Sequence, residues 1–341
     1  MPTPLWQPSS EEKGNTLLTH FSKKIQAQYD LPDSEYSTVH QWSIDYPELF
    51  WEEVWNDCKV LSSKSWSKVM GKDLFNVRND SERSGWFEGA RLNYAENLLL
   101  RNNDENEALS FVAENGTKQS MSYAELRAAV SQCASGMKDM GVSEMDRVAA
   151  VIPNCPEAVI GLLAASSIGA IWSSCSPDFG IKGINDRLGQ ISPKILITVN
   201  AYHYNGKEHD CLTKIREVTK LIPSIEAVYV VPFTETEIEF QGNEKPWTEL
   251  LDYSINTTIF AQLPFDHPLY ILYSSGTTGL PKSIVHGAGG CLLKHLTEHR
   301  YHSDINPSDR VFYFTTCGWM MWNWLVSSLA SGATIILYDG A

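Results

Sequence analysis

The sequence predicts an α/β protein built on doubly wound, largely parallel but mixed sheets with flanking helices, and three observations carry that prediction. Short apolar runs alternate with amphipathic helical segments between residues 108 and 231, the order that right-handed strand–helix–strand crossovers produce. The helical segments carry their own start and stop signals. A further apolar run, Leu269-Tyr-Ile-Leu-Tyr273, opens into seven residues drawn only from Ser, Thr, Gly and Leu before Pro281. In open α/β sheets ligands sit in loops of this kind, beyond strand C-termini.

Residues 1–100 form a leader rich in Trp, Tyr and acidic side chains, with helical patterns at 13–29 and 46–58, closed by Arg91-Leu-Asn-Tyr-Ala-Glu-Asn-Leu-Leu99. The pattern then changes. A short apolar run at 108–113 reads as the first strand, followed by a turn at Asn115-Gly116. Ser122 with Glu125 three residues on is a capping box for a helix over 123–140, and Gly141 stops it. Residues 147–152 read as a buried strand. Pro156 opens a helix that runs to Ile168 and halts at Gly169. A strand at 171–174, a helix at 181–191 ended by Pro193, a strand at 195–199, a helix at 212–221 and a strand at 227–231 complete the alternation. Residues 233–266, acidic and Pro-containing, are expected as a surface connection. Beyond the Ser/Thr/Gly loop come a short strand after Lys282, a helix over 290–302, a strand over 311–315, a helix over 320–330 and a strand over 334–337.

The chain of 341 residues is long enough for one large or two medium domains. A hydrophobic content of 43% with 20% charged residues is ordinary for a soluble globular protein. The formal net charge of −14 argues against nucleic-acid or anionic-membrane partners. Any phosphate site must therefore be made positive locally. Seven scattered cysteines without a C-x-x-C pair suit reduced thiols in the cytosol. The N-terminus has neither a basic region nor an apolar one of the secretory kind, and no apolar run reaches membrane-spanning length. Oligomeric state is not readable from these features.

The loop has a definite chemistry. Gly276 and Gly279 let the backbone curl, Ser274, Ser275, Thr277 and Thr278 carry hydroxyl donors, and Lys282 follows Pro281. Backbone amides, hydroxyls and one ammonium can converge on a polyanion, most simply a triphosphate. A plain Gly-rich hairpin with a solvated lysine accounts for the glycines but not for the four hydroxyls and the lysine together. The loop is not a Walker loop, because Pro precedes the lysine and Ile284-Val285, not a helix, follows it; no G-x-G-x-x-G marks a dinucleotide site either. Downstream, His295-Leu-Thr-Glu-His299 is formally H-x-x-E-H, a zinc pattern that would make a hydrolase of His295, Glu298 and His299. The segment directly follows the Ser/Thr/Gly loop, no downstream carboxylate ligand stands out, and helical His/Glu faces are usually solvated. No metal held by protein side chains is therefore expected.

The spacing Ser-Ser-Gly-Thr-Thr-Gly-x-Pro-Lys resembles the phosphate-binding signature of the acyl-adenylate-forming enzymes, which include acyl-CoA synthetases and luciferases. The likeness extends over nearly the whole chain through Trp86-Phe-Glu-Gly-Ala-Arg-Leu-Asn-Tyr-Ala-Glu-Asn-Leu-Leu99, the run 164–180, Tyr204-Asn-Gly-Lys-Glu-His209 and Cys317-Gly-Trp-Met-Met-Trp-Asn-Trp324. Within the family the nearest likeness is to the branch that activates acetoacetate. The resemblance implies a ligase joining acetoacetate to CoA through an acyl-adenylate, with ATP and its Mg²⁺ counter-ion, CoA as co-substrate, and AMP and pyrophosphate as products. It implies that Ser274, Ser275, Gly276, Thr277, Thr278, Gly279 and Lys282 hold the ATP phosphates. It also implies that Lys282 and Trp319 serve catalysis and that Trp319, Met320 and Met321 wall the acyl pocket. Asn205, Gly206 and Lys207 match the place where acetyl-CoA synthetases resemble one another in contacting the CoA 3′-phosphate. Lys207 stands where arginine is usual, which loses the bidentate fork, and a solvated loop lysine is the plainer reading. Ser174, at a strand end, is a candidate for the CoA tunnel or simply a small strand-terminal residue.

By the same resemblance, residues 1–100 are a leader of the acetyl-CoA-synthetase type and 101–341 part of the adenylation domain. The adenine-binding strand, the ribose-binding aspartate and the mobile C-terminal domain cannot be located. The chain is thus expected to be an incomplete form, inactive by itself, and a sheet ending after Leu337 to leave an unpaired edge or an uncovered apolar face. A catalytically silent product, or a ligase for another short acid, are the alternatives.

Overall fold

The computed structural model describes residues 5–71, 85–253, 260–274 and 279–341. The leader contributes α1 (Ser10–Asn15), α2 (Leu17–Tyr29), α3 (Tyr36–Asp45), α4 (Pro47–Asp57), the short strands β1 (Lys68–Met70), β2 (Trp86–Glu88) and β3 (Arg91–Leu92), and α5 (Tyr94–Leu99). The helix expected over 13–29 is broken. Thr16 is extended and its hydroxyl caps α2 through the Thr19 amide, the competition that hydroxyl side chains offer a continuing helix. The leader's aromatics are packing devices. Trp55 stacks on Phe87 at 4.7 Å and Phe21 on Tyr301 at 4.5 Å. Asn93 ties the leader to the rest, donating to the carbonyls of Ser166, Ser167 and Ala261 while its Oδ1 caps α5.

Then follow β4 (Glu107–Ala113), β5 (Lys118–Ser122), α6 (Tyr123–Asp139), β6 (Arg147–Val151), α7 (Pro156–Ser167), β7 (Ile171–Cys175), α8 (Ile181–Leu188), β8 (Ile195–Val199), β9 (Ala201–Tyr204), β10 (Lys207–Asp210), α9 (Leu212–Leu221), β11 (Ala227–Val231) and β12 (Glu244–Pro246). The capping box at Ser122 and Glu125 forms as expected. The stretch 233–266 is more than a surface connection. β12 pairs in parallel with β11, and the 3₁₀ turn Trp247–Leu250 buries both of its end residues. Gly136 makes that packing possible, since a Cβ there would lie 2.7 Å from the Leu250 backbone.

The last elements are β13 (Leu263–Pro264), β14 (Pro268–Ser274), β15 (Lys282–Gly287), α10 (Ala288–Thr297), a π turn (Glu298–His302), β16 (Arg310–Phe312), α11 (Met320–Ser327), a 3₁₀ turn (Ser328–Ser331) and β17 (Thr334–Asp339). The expected helix over 290–302 thus starts two residues early and loosens into a π turn after Thr297.

The main sheet has seven strands in the order β12-β11-β8-β6-β7-β14-β15, parallel except for the β14–β15 hairpin at one edge. Its residues alternate between two cores. Val148, Ala150, Ile195 and Ile197 face α6 and α7, while Ala149, Val151, Leu196 and Val228 face α8 and α9. Helices on both faces make the sheet doubly wound. The second sheet runs β16-β17-β4-β5. The strand containing Leu337 is interior to it, bonded on both sides rather than left at an open edge; the edge strands of this sheet are β16, where Phe312 is 50% exposed, and β5.

Candidate functional site

The β14–β15 hairpin sets the site. Its register pairs Ser274 with Lys282 across the mouth of the loop, at the end where the parallel strands β6, β7 and β14 also finish. The sequence-predicted phosphate residues Ser275, Gly276, Thr277 and Thr278 lie outside the described residues. Lys282 is exposed and Ser274 half-buried. Gln190, just past α8, grips the strand on both sides of the lysine: its Nε2 donates to the Pro281 carbonyl at 2.8 Å and its Oε1 accepts from Ser283 at 3.3 Å. Among the described residues, a Cβ at Gly279 would meet nothing within 4 Å.

The segment with Trp319 and the two methionines is held by the ends of β6 and β7. Ser174 Oγ donates to the Cys317 carbonyl at 2.7 Å and accepts from Trp172 Nε1 at 3.0 Å. Cys317 Sγ donates to the Pro153 carbonyl, and Trp322 Nε1 donates to Asn154 Oδ1 at 2.9 Å. Gly318 sits close to β7, where a Cβ would be 3.4 Å from the Ser176 nitrogen. Ser174 is therefore buried with its hydroxyl bonded within the protein. Trp319 caps α11 and is 67% exposed, Met321 is half-buried, and Met320 borders a cavity described below.

Two cavities flank this segment. The first, about 250 Å³, lies at the ends of β6, β7 and β17 among Asn154, Asp178, Tyr202, Thr316 and Asp339. Burial, and then the nearby Glu114 carboxylate, push the Asp339 carboxyl up to about 7. Asn205 and Gly206 form the positive-φ turn of the β9–β10 hairpin. Their amides already donate to Glu114, and Lys207 beside them is exposed. These hydrogen bonds hold Glu114 below the usual carboxylate range.

The second cavity, about 540 Å³, opens between β15, α10 and α11. Gly290, Lys294 and Glu298 line it from one face of α10 and the turn after it, with His286 and Met320 opposite. Lys294 Nζ lies 2.5 Å from Glu298 Oε1, and Glu298 Oε2 accepts from Trp324 Nε1 at 2.9 Å. Burial alone would raise Glu298, but the hydrogen bond and charge of Lys294 outweigh it and the carboxyl sits low. His295 shares a hydrogen bond of 2.8 Å between Nδ1 and Ser327 Oγ. Burial pushes His295 down to about 4 and His299, with His295 adding to the effect, down to about 3. The zinc pattern does not assemble: Glu298 is committed to Lys294 and Trp324, His295 to Ser327, and among the described residues no three His, Cys, Asp or Glu side chains converge as metal ligands. Sequence reasoning missed Lys294, His286 and Asp339. The i,i+4 spacing of Lys294 and Glu298 was a readable signal for one pair only.

Comparison with known proteins agrees with this architecture. A family model described as AMP-binding enzyme matches residues 100–341, and one described as acetyl-coenzyme A synthetase N-terminus matches residues 36–98. The chain is 43% identical to an acetoacetyl-coenzyme A synthetase of Rhizobium meliloti (strain 1021) and 42% to an acetoacetyl-CoA synthetase of Danio rerio, each over 99% of this chain and 51% of the relative. It is 41% identical to a malonamoyl-CoA synthetase of Penicillium aethiopicum, over 99% of this chain and 48% of that protein. The solved acetoacetyl-CoA synthetase of Streptomyces lividans superposes with a TM-score of 0.92 at 39% identity, covering 99% of this chain and 52% of that one. The chain spans about half the length of the curated relatives it matches. With the nucleotide-family match extending over residues 100–341 and the Ser274–Lys282 mouth at the strand ends, the chain belongs to the AMP-binding enzyme family.

Proposed function

We propose that this chain carries the ATP-phosphate and acid sites of an acid–thiol ligase that makes acetoacetyl-CoA. An acetoacetate oxygen attacks the α-phosphorus of ATP, pyrophosphate leaves, and the CoA thiol sulfur then attacks the acyl carbon and expels AMP. Carboxylate is a poor acyl donor, and the mixed anhydride with AMP supplies the leaving group. Charge neutralisation and positioning dominate such displacement. Lys282, with Ser274, Ser275, Gly276, Thr277, Thr278 and Gly279, is assigned to the β- and γ-phosphates, and Mg²⁺ enters as the counter-ion of ATP. Trp319, Met320 and Met321 are assigned to the acid. Asn205, Gly206 and Lys207 are the weaker assignment for CoA, because Glu114 already occupies two of the amides.

The observation that carries this reading is the pairing of Ser274 with Lys282 at the C-terminal mouth of a parallel sheet, with a cavity beside Met320 at the far end of the same strand β15. The relatives' names favour a particular acid class. Acetoacetyl and malonamoyl groups share a carbonyl on the carbon β to the acyl carbon. The test is acetoacetate-dependent exchange of labelled pyrophosphate into ATP, run beside calorimetric Mg·ATP binding. Exchange supports the ligase. ATP binding without exchange leaves binding without turnover as the function of this chain, and neither signal rejects the phosphate site.

A further inference from the structure

We propose that Lys294, held by Glu298, is the specificity-determining donor that reads the β-carbonyl oxygen of the acid. The inference rests on the assignment of an acid site beside Met320 and goes beyond it, since it names the group that distinguishes a 3-oxo acid from a plain alkyl acid.

The cavity beside Met320 has the chemistry for that distinction. Its outer wall is apolar, from Met320, Val285 and Phe265. Across from them, the α10 face presents Lys294 where Gly290, one turn earlier, has open space around a notional Cβ. A Lys–Glu pair at i,i+4 on a helix is ordinarily a loose surface pair of little consequence. This one differs because Glu298 is fixed at both oxygens, by Lys294 at one and by the Trp324 indole at 2.9 Å at the other. The ammonium is anchored through one N–H, leaving two to point elsewhere. Two imidazoles also face the cavity, but they are poor competitors. His295 is engaged with Ser327, His286 leans on Tyr270 at 5.1 Å, and both are neutral at pH 7 through burial.

The result is an open groove with apolar walls, the Lys294–Glu298 pair at one side with Lys294 58% exposed, and Asp266 elsewhere on the lining. Such a pair offers directional donors to a neutral carbonyl dipole. Glu298 opposes a second carboxylate, so a dicarboxylic acid is disfavoured. A saturated acid of the same length leaves the Lys294 donors unanswered.

The test uses two hydrolysis-resistant probes, acetoacetyl-sulfamoyl-adenosine and butyryl-sulfamoyl-adenosine, with Mg·ATP binding as the control, all by calorimetry on the wild type and on Lys294→Met. In the wild type we expect at least tenfold tighter binding of the acetoacetyl probe. In K294M that preference collapses to within about threefold, with ATP affinity unchanged. Glu298→Gln, which keeps an acceptor for Trp324, is the second variant. With malonyl-sulfamoyl-adenosine as a third probe, it is expected to relax exclusion of this dicarboxylic analogue by several-fold. Retention of the tenfold preference in K294M, or an equal loss for both probes, overturns the assignment to Lys294 while leaving the ligase reading intact. A wild type that binds neither ATP nor either probe sinks both.

Discussion

The two cavities on either side of the Trp319 segment differ in electrostatics: among the described residues, only one of them holds a cation. The one at the ends of β6, β7 and β17 is acidic, lined by Asp178 and Asp339 with Glu114 holding the neighbouring turn. The one between β15, α10 and α11 contains a lysine paired with a glutamate, the Asp266 carboxyl and two imidazoles lowered by burial. In a chain of net charge −14, attraction for anions is therefore a local property of the β15 side. Lys282 and Lys294 sit on that strand and on the helix that follows it. The acidic side has Lys207 at its hairpin, but with a carboxylate already seated on the adjacent amides. Proximity to a phosphate-matching motif is not enough to make a phosphate site when the donors are taken.

The comparison breaks most sharply at Lys282. Lys282→Ala removes the only described cation facing Ser274 across the loop mouth, and Mg·ATP affinity is expected to fall about a hundredfold, a loss typical of a charge-neutralising donor. Because the side chain is exposed, the melting temperature should stay within a degree or two. Calorimetry and thermal melts on the same sample check both halves. An unchanged ATP affinity would remove the main reason for placing anion binding on this side.

Stability against pH sharpens the same contrast, because the two cavities respond in opposite directions. His295 and His299 are held neutral, with values near 4 and 3 against an ordinary value of 6.5. Unfolding lets them take up protons, so their contribution is full above pH 6.5 and is lost as pH falls toward 4. The limiting slope is about 1.4 kcal/mol per pH unit for each imidazole. Asp339 is raised from 3.8 to about 7. The fold holds its proton more tightly than the unfolded chain, so stability falls as pH rises from about 4 to 7 and levels off beyond. Urea midpoints from pH 4 to 6.5 should show opposite changes of slope: His295→Gln/His299→Gln removes a rise of stability with pH, and Asp339→Asn removes a fall and so steepens that rise. If both replacements changed the slope in the same direction, the electrostatic contrast would be wrong.

Much of this was legible in the chain. The capped helix at Ser122, the helix opened by Pro156 and the strands at 195–199 and 227–231 appear where the alternation and caps put them, because each has a local signal strong enough to act alone. The failures share a cause. The break at Thr16, the π turn after Thr297 and the burial of Trp247 are decided by contacts from elsewhere in the chain or by a single competing hydroxyl, which periodicity does not register. The β9–β10 hairpin was readable from Asn205-Gly206 and was passed over as a ligand motif. At the site, Lys282 was legible because its loop is compositionally unusual. Lys294 directly precedes the H-x-x-E-H pattern, and the partners of that pattern's residues, Ser327 for His295 and Trp324 for Glu298, are tertiary contacts that no local spacing encodes.

The smallest expected effect concerns Glu114, and it bears on whether the acidic side could be converted. Its carboxylate accepts from the amides of Asn205, Gly206 and Ala341, at a fully surface-facing turn. Replacing it by glutamine keeps one acceptor and removes the charge. Stability should change little, as expected for exposed hydrogen bonds. The consequence of interest is electrostatic. Without Glu114 the Asp339 carboxyl loses a neighbour that raises it, so its value should drop, and the turn's amides together with Lys207 become available to an anion. Adenosine 3′,5′-bisphosphate, which carries the phosphates that distinguish CoA's nucleotide end, is the probe for this turn. Its affinity should improve a few-fold in Glu114→Gln and fall again when Lys207→Ala is added. No gain in the single variant would mean that Glu114 is a structural clamp on the hairpin and that CoA's phosphate is met somewhere other than Asn205, Gly206 and Lys207.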